Sequence, residues 1–212
     1  MKAILKIGYV LLACFTISAI AQEINAKKVF QSLEEASKSP TEVHKLSLEG
    51  QQISFENFDW SKFKNLEFLS FKNDHLKELP KGIEALANLK FLDLSGNELT
   101  QLPDSFTNLQ QLEELRLDHS SLVNLEKTIG ALALLPNLKR LHLVTIEEQN
   151  LPENISKLTH LEELAVHQKS IRKIPVPIKE LPHLQSVQSK NYRIPPQFLG
   201  QQDINFGFAI KL

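Results

Sequence analysis

The feature that most restricts how this chain can fold is a short internal repeat. Similar apolar segments begin every 23 residues, except for one interval of 26 residues between Leu112 and Leu138. The segments begin at Val43, Leu66, Leu89, Leu112, Leu138, Leu161 and Leu184. A single segment has an apolar edge that it cannot cover alone, so neighbouring copies must stack and bury that edge between them. The sequence therefore predicts a stack of about seven repeats over residues 43–200.

The apolar positions within the repeat keep their character from copy to copy. The fourth position holds leucine or valine throughout, and the cleanest copy, residues 89–111, reads LKFLDLSGNELTQLPDSFTNLQQ. The alternation in Leu92-Asp93-Leu94 is the period-2 pattern of a half-buried strand. Proline at the fifteenth position, as in Pro103, fits a return segment outside the sheet, where no ladder hydrogen bond is lost. We expect one short strand per repeat.

The pattern L-x-x-L-x-L-x-x-N-x-L-x-x-L-P resembles the leucine-rich repeat family in its 23-residue form. This resemblance implies an α/β solenoid, a right-handed horseshoe with a concave parallel β-sheet. The family usually has asparagine at the ninth position, and only Asn97 keeps it here. The ninth column runs Gln51, Asp74, Asn97, Ser120, Ile146, Lys169 and Tyr192. We therefore expect an incomplete buried polar ladder, with some turn amides bonded to water or backbone.

Both ends of such a stack need a cap, because a terminal repeat would otherwise expose its core. Val29, Phe30, Leu33 and Ala36 recur at helical spacing, which predicts an amphipathic capping helix within residues 22–42. The segment SLEEASKSPTEVHKLSL resembles the start of many bacterial leucine-rich-repeat proteins. At the other end, residues 201–212 contain the alternating segment INFGFAIKL, which predicts a closing strand or hairpin.

Residues 1–21 have the order of charge, apolar run and small residues that marks a secretory signal peptide, ending at Ala21. We expect export to the periplasm, the cell surface or the medium. The apolar run is too short for a membrane span, which needs about 20 apolar residues. Cys14, the only cysteine, leaves a second possibility open, because Leu11-Leu12-Ala13-Cys14 resembles a lipobox and would give a lipid anchor. Cleavage after Ala21 would leave no cysteine for disulfides or thiol chemistry.

Charge and motifs exclude several classes of function. The formal net charge is −1, and losing Lys2 and Lys6 makes it −3, so the basic face expected for nucleic-acid binding is missing. The sequence has no Gly-rich phosphate loop, no G-x-S-x-G and no H-E-x-x-H, and it predicts neither enzymatic activity nor a cofactor. His119, His142 and His167 lie in successive repeats but in different columns, so no metal site is predicted.

The third, fifth and seventh positions of each repeat flank the strand leucines and should face the concave side. Strands about 4.8 Å apart make each column a ladder of direct neighbours. Phe68 and Phe91 are adjacent in such a ladder, and an apolar patch with a polar rim is typical of an interface centre. The alternative is that the two rings stack on each other or pack against the capping segment. The predicted protein-binding residues are Phe68, Phe91, Asp93, Arg116, Asp118, Arg140, His142 and His167.

The function that these observations favour is protein binding on the concave face. Two alternatives stay open, namely carbohydrate or peptidoglycan binding on the aromatic patch, and homodimerisation. The identity of the partner and the oligomeric state do not follow from the sequence. The least regular segment, residues 131–148, contains the three-residue insertion, which we interpret as a convex-side insertion that the solenoid tolerates, although a functional bulge is the alternative.

Overall fold

The computed structural model describes residues 27–143, 151–166, 178, 180–188 and 209–211. Within these residues, nine strands form one parallel sheet in which the spatial order follows the sequence order. The strands are β1 (Val29–Phe30), β2 (Lys45–Ser47), β3 (Phe68–Ser70), β4 (Phe91–Asp93), β5 (Glu114–Arg116), β6 (Arg140–His142), β7 (Glu163–Ala165), β8 (Ser186–Gln188) and β9 (Ala209–Lys211). This architecture confirms the predicted leucine-rich-repeat solenoid.

Each strand between β2 and β8 is centred on the apolar residue of the fourth column. These residues pair directly across the sheet, as in Leu69↔Leu92 and Leu92↔Leu115. The leucines of this column from Leu46 to Leu164 have no exposed surface. Because successive side chains alternate across a strand, the residues on either side of the buried leucine face the concave surface.

A left-handed turn follows β2, β3, β4 and β5 at the eighth position of the repeat. The backbone φ is 71° at Gly50, 59° at Asn73, 70° at Gly96 and 57° at His119. Glycine adopts this conformation without a Cβ clash, and asparagine and histidine tolerate it better than most residues. The regular recurrence of the turn ends each strand after the same number of residues and keeps the repeats in register.

The convex side consists mainly of short 3-10 helices, at Trp60–Lys62, Ile83–Ala85, Asp104–Asn108 and Glu153–Lys157. Each places one large apolar residue in the core, for example Phe106, which is fully buried. In the 26-residue repeat an α-helix (Leu125–Leu132) takes this place, started by Asn124, whose Oδ1 accepts a hydrogen bond from Lys127 N at 2.8 Å. The insertion therefore lengthens the convex side, and residues 144–148 of the irregular segment lie outside the described residues.

The N-terminal cap differs from the expected helix in its extent. The helix α1 spans Leu33–Lys38, and Val29–Phe30 form strand β1, which pairs in parallel with β2. The Ser32 Oγ accepts a hydrogen bond from Glu35 N at 3.3 Å, which starts the helix after the two apolar residues rather than before them. At the other end, strand β9 pairs in parallel with β8.

The ninth column forms a partial polar ladder behind the turns. Asn97 Oδ1 accepts hydrogen bonds from Asp74 N at 3.2 Å and Leu76 N at 2.9 Å. Asp74 takes the same place one repeat earlier and accepts from Gln51 N at 2.7 Å. Ser120 Oγ is buried and has no hydrogen-bond partner in the part of the chain that the structure describes. The ladder is thus maintained by Asp74 and Asn97, and Ile146, Lys169 and Tyr192 lie outside the described residues.

Candidate protein-binding face

The parallel register brings the third column together as one line of side chains on the concave face. Phe68 pairs with Phe91, Phe91 with Glu114, and Glu114 with Arg140. Lys45 precedes this line on β2, and Glu163 follows it on β7. Since the pairing of neighbouring strands is direct, these groups lie at successive steps of about 4.8 Å across the sheet.

Phe68 and Phe91 lie face to face, with ring centroids 4.5 Å apart and planes only 8° from parallel, so the rings stack on each other as the alternative interpretation of this pair expected. Lys45 Nζ lies 6.0 Å from the centroid of Phe68, and Arg116 Cζ lies 5.1 Å from the centroid of Phe91. Each ring is half-buried. These four side chains, which we call the aromatic stack, cover both faces of both rings, so that the ring edges are left for contact with another molecule.

Beside the aromatic stack, one buried carboxylate holds two arginines. Glu114 Oε1 accepts a hydrogen bond from Arg116 Nε at 2.9 Å, and Oε2 accepts one from Arg140 Nε at 2.8 Å. Arg116 Nη2 also lies 2.9 Å from Oε1 as an ion-pair contact. The Glu114 residue is 9% exposed, whereas the side chains of Arg116 and Arg140 are 40% and 36% exposed. We call these three residues the arginine clamp. Charge-assisted pairs of this kind fix the guanidinium planes.

The electrostatics of the arginine clamp follow from this geometry. Burial is the largest influence on Glu114 and acts to raise its pKa, but the hydrogen bonds and positive charges of Arg140 and Arg116 outweigh it. The pKa of Glu114 is therefore lower than its usual value. His142 Nε2 lies 3.6 Å from Glu114 Oε1. The Glu114 carboxylate therefore remains ionised at neutral pH, and its role is to hold Arg116 and Arg140 in place on the concave face.

The remaining predicted binding residues fall into different environments. Asp93 is 7% exposed, and its Oδ1 accepts a hydrogen bond from Ser95 N at 2.9 Å, so it mainly supports the turn after β4. Asp118 is half-buried, and its Oδ1 has no hydrogen-bond partner among the described residues. His142 lies at the edge of the arginine clamp. His167 lies outside the described residues.

Among the described residues, no three histidine, cysteine or acidic side chains are placed to hold a metal ion. Within the same residues, no helix is both long enough and apolar enough to cross a membrane. The aromatic stack and the arginine clamp are therefore the groups on which we build the functional argument.

An open parallel sheet flanked by short helices, with one strand per repeat, defines a solenoid with a concave face. The family model described as "leucine-rich repeat region" matches residues 46–149. The chain belongs to the leucine-rich repeat family. Members of this family are generally binding scaffolds, and the concave surface of the solenoid is commonly used for protein–protein interaction.

Three solved structures are similar to this chain at low sequence identity. A chain of the Toll–Spatzle complex of Drosophila is 18% identical, with a TM-score of 0.63 over 79% of this chain and 22% of that chain. A leucine-rich-repeat protein of Leptospira interrogans is 23% identical, with a TM-score of 0.45 over 76% of this chain and 54% of that chain. Internalin C2 of Listeria monocytogenes is 23% identical, with a TM-score of 0.49 over 78% and 70%.

This chain therefore spans about half the length of the Leptospira protein and about a fifth of the chain in the Drosophila complex. No curated protein matches its sequence. The likeness establishes the fold, and the function has to be argued from the concave face itself.

Proposed function

We propose that this protein is an exported, non-enzymatic binding protein that holds another protein on its concave face. The observation that carries the proposal is the aromatic stack, in which two half-exposed phenylalanine rings are fixed on the face of a rigid sheet. Aromatic and arginine side chains supply much of the binding energy in protein interfaces. Because these side chains are already packed in the free protein, binding loses little of their conformational entropy.

The geometry of the rings favours a protein over a carbohydrate as the ligand. A sugar stacks on an exposed aromatic face, but here each ring is covered on one face by the other ring and on the second face by Lys45 or Arg116. Only the edges are accessible, and edges contact the faces of other aromatic rings, aliphatic groups and hydrogen-bond acceptors. Covering the remaining half of each ring would contribute about 1 kcal/mol.

Export is proposed from the first 21 residues, which lie outside the described residues. The charged start, apolar run and small residues before Gln22 support a cleaved secretory signal, and the capping segment supports a bacterial origin. Expression of the full chain in a bacterial host tests this, with mass spectrometry of the exported product. A mature N-terminus at Gln22 is expected. A product that begins at a lipidated Cys14 would replace cleavage by a lipid anchor, and a chain retained uncleaved in the cytoplasm would refute export.

The binding proposal is tested by affinity capture with residues 22–212 as bait, from envelope and host-cell extracts. The parent is compared with a variant carrying Phe68→Ala, Phe91→Ala and Arg116→Ala. A matched control carries Val123→Ala and Leu134→Ala, because these side chains lie outside the concave columns and are 71% and 65% exposed. Circular dichroism confirms that all three baits are folded.

We expect one or more proteins to be retained by the parent and the control and lost by the concave-face variant. Proteins retained equally by all three would refute the concave site. Capture of this chain alone, with a dimer in light scattering, would replace the proposal by homodimerisation. Binding to a glycan array that depends on Phe68 and Phe91 would replace it by carbohydrate binding.

A further inference from the structure

The groups around the aromatic stack share one electrostatic character. An aromatic ring is negative on its faces and positive at its edges. The faces of Phe68 and Phe91 are turned towards each other and towards the cations of Lys45 and Arg116, which leaves the positive edges for contact from outside. Lys45 is only 7% exposed, so the accessible surface of the aromatic stack combines the two ring edges with the guanidinium group of Arg116. This combination attracts hydrogen-bond acceptors and anions, and it repels cations.

The arginine clamp extends this character across β5 and β6. Glu114 offsets one of the two positive charges and is itself almost fully covered, so the partly exposed part of the clamp is guanidinium. Each arginine donates a hydrogen bond to Glu114 through Nε, and Arg116 Nη2 adds an ion-pair contact at 2.9 Å. Among the described residues, no second carboxylate lies within 4.0 Å of either guanidinium. Each arginine therefore keeps N–H donors on its terminal nitrogens for another acceptor.

The acidic residues nearby limit where such an acceptor can lie. Asp93 is 7% exposed and accepts a hydrogen bond from Ser95 N, so it contributes little accessible negative charge. Glu163 follows Arg140 on β7 and would repel an acid placed beyond the clamp. The surface that suits an anion is thus confined to the stretch from Phe68 on β3 to Arg140 on β6.

We infer that this stretch binds a peptide segment of the partner that carries an aspartate or glutamate close to an apolar side chain. The apolar side chain contacts the edges of Phe68 and Phe91, and the carboxylate accepts hydrogen bonds from Arg116 and Arg140. The centres of these two pairs are two strand spacings apart, about 10 Å. Side chains on one side of an extended peptide recur about every 6.7 Å, so two long side chains separated by one residue can reach both pairs. The inference rests on the proposed function and specifies the chemistry of its ligand.

The test is a selection from a phage-displayed library of random 12-residue peptides on immobilised residues 22–212. The enriched peptides are synthesised, and their affinities are measured by fluorescence anisotropy. The central variant carries Arg116→Gln and Arg140→Gln. The matched control carries Lys62→Gln and Lys127→Gln, which remove the same charge from exposed positions on the convex side. A third variant, with Arg116→Lys and Arg140→Lys, keeps positive partners for Glu114 and guards against a loss that is due to unfolding.

We expect at least a threefold excess of aspartate or glutamate beside an apolar residue in the selected peptides. Affinity should fall by about 10- to 100-fold in the glutamine variant, the effect of losing one or two charge-assisted contacts. It should fall less in the lysine variant, because lysine keeps the positive charge although it cannot form a bidentate pair. In the control it should fall by less than twofold. Replacing the acid of the peptide by its amide should reduce the affinity for the parent by about the same factor as the glutamine variant.

The failure of this inference can be distinguished from the failure of the proposed function. Peptides without an acidic preference, whose binding is nevertheless lost with Phe68→Ala and Phe91→Ala, would overturn the carboxylate inference and leave the concave site in place. Peptides that bind all variants equally, or a selection that enriches no peptide, would count against both.

Discussion

Replacing Asp74 by asparagine is expected to stabilise the protein. Asp74 is 4% exposed, and its Oδ1 accepts hydrogen bonds from Gln51 N at 2.7 Å and Gln52 N at 3.4 Å. Its Oδ2 is buried and has no hydrogen-bond partner among the described residues. Burial, the largest influence, raises the pKa of Asp74, and the backbone hydrogen bonds, chiefly from Gln51 and Gln52, only partly oppose it. The ionised side chain is therefore held at a cost in the folded state.

The size of the effect follows from the next repeat, where asparagine occupies the same position. Asn97 Nδ2 donates to Phe71 O at 2.8 Å and to Leu94 O at 2.9 Å. An amide at position 74 would keep the acceptor and place a donor towards the equivalent carbonyls, one repeat earlier. One buried hydrogen bond contributes about 1 kcal/mol, and removal of the buried charge adds to it. We expect a gain of about 1–2 kcal/mol, which raises Tm by about 3–6 °C in a protein of this size.

The assay is urea unfolding followed by circular dichroism at pH 7 and at pH 3.5. Because the folded pKa of Asp74 is raised, the penalty is fully present above that pKa and disappears as the pH falls through it. The advantage of Asp74→Asn should therefore be largest at pH 7 and smaller in acid. The reverse substitution one repeat later, Asn97→Asp, is the matched control and should destabilise by about 2 kcal/mol. An Asp74→Asn variant that is no more stable than the parent at pH 7 would refute the reasoning.

Three further outcomes are expected. Asn97→Ala should destabilise the protein by about 3 kcal/mol, because it removes a 2% exposed side chain with four short hydrogen bonds to the backbone. Ser120→Ala should change the free energy of unfolding in urea by less than about 0.5 kcal/mol, because Ser120 Oγ has no hydrogen-bond partner among the described residues. Glu114→Gln should cost about 2 kcal/mol of stability at pH 7. Since the folded pKa of Glu114 is depressed, the parent keeps this advantage above about pH 4.5 and loses it as the pH falls through the folded pKa. Urea midpoints of the two proteins that stay equally far apart at pH 3 would contradict the assignment. Val123→Lys should leave the urea midpoint unchanged within about 0.5 kcal/mol, because Val123 is 71% exposed, and a larger loss would mean that this convex surface is covered.

The sheet could be predicted from the sequence because the repeat fixes both the strands and their register. An interval of 23 residues places Leu69 beside Leu92 and Phe68 beside Phe91 without further information. The structure of the N-terminal cap was less clearly determined by the sequence. Val29 and Phe30 fit a helical pattern with Leu33, but they also fit a strand, and only the cap formed by Ser32 separates the two elements. Ser32 followed three residues later by Glu35 is a helix start signal that the apolar spacing alone does not use.

The candidate site was predictable in position but not in conformation. The register places the two rings next to each other, whereas their parallel stacking depends on rotamers that a column of residues does not specify. Glu114 was absent from the predicted site residues, although the sequence contained a signal for it. Arg116 lies two positions later and Arg140 lies opposite Glu114 on the next strand, so two cations share one face with this acid. A second ladder was also missed, in which Asn65, Asn88 and Asn137 Nδ2 donate to carbonyls of the preceding repeat at 2.7–2.8 Å.

The irregular repeat bears directly on the proposed binding surface. Arg140 lies 26 residues after Glu114, so the arginine clamp bridges the one longer interval between repeats in the described strands. The pairing Glu114↔Arg140 keeps the register of the other strands because the additional residues are accommodated in the convex helix Leu125–Leu132. The same three residues placed in the turn after β5 would shift β6 and separate Arg140 from the buried carboxylate. Placement of the insertion on the convex side is therefore a condition for the cation pair on the concave face.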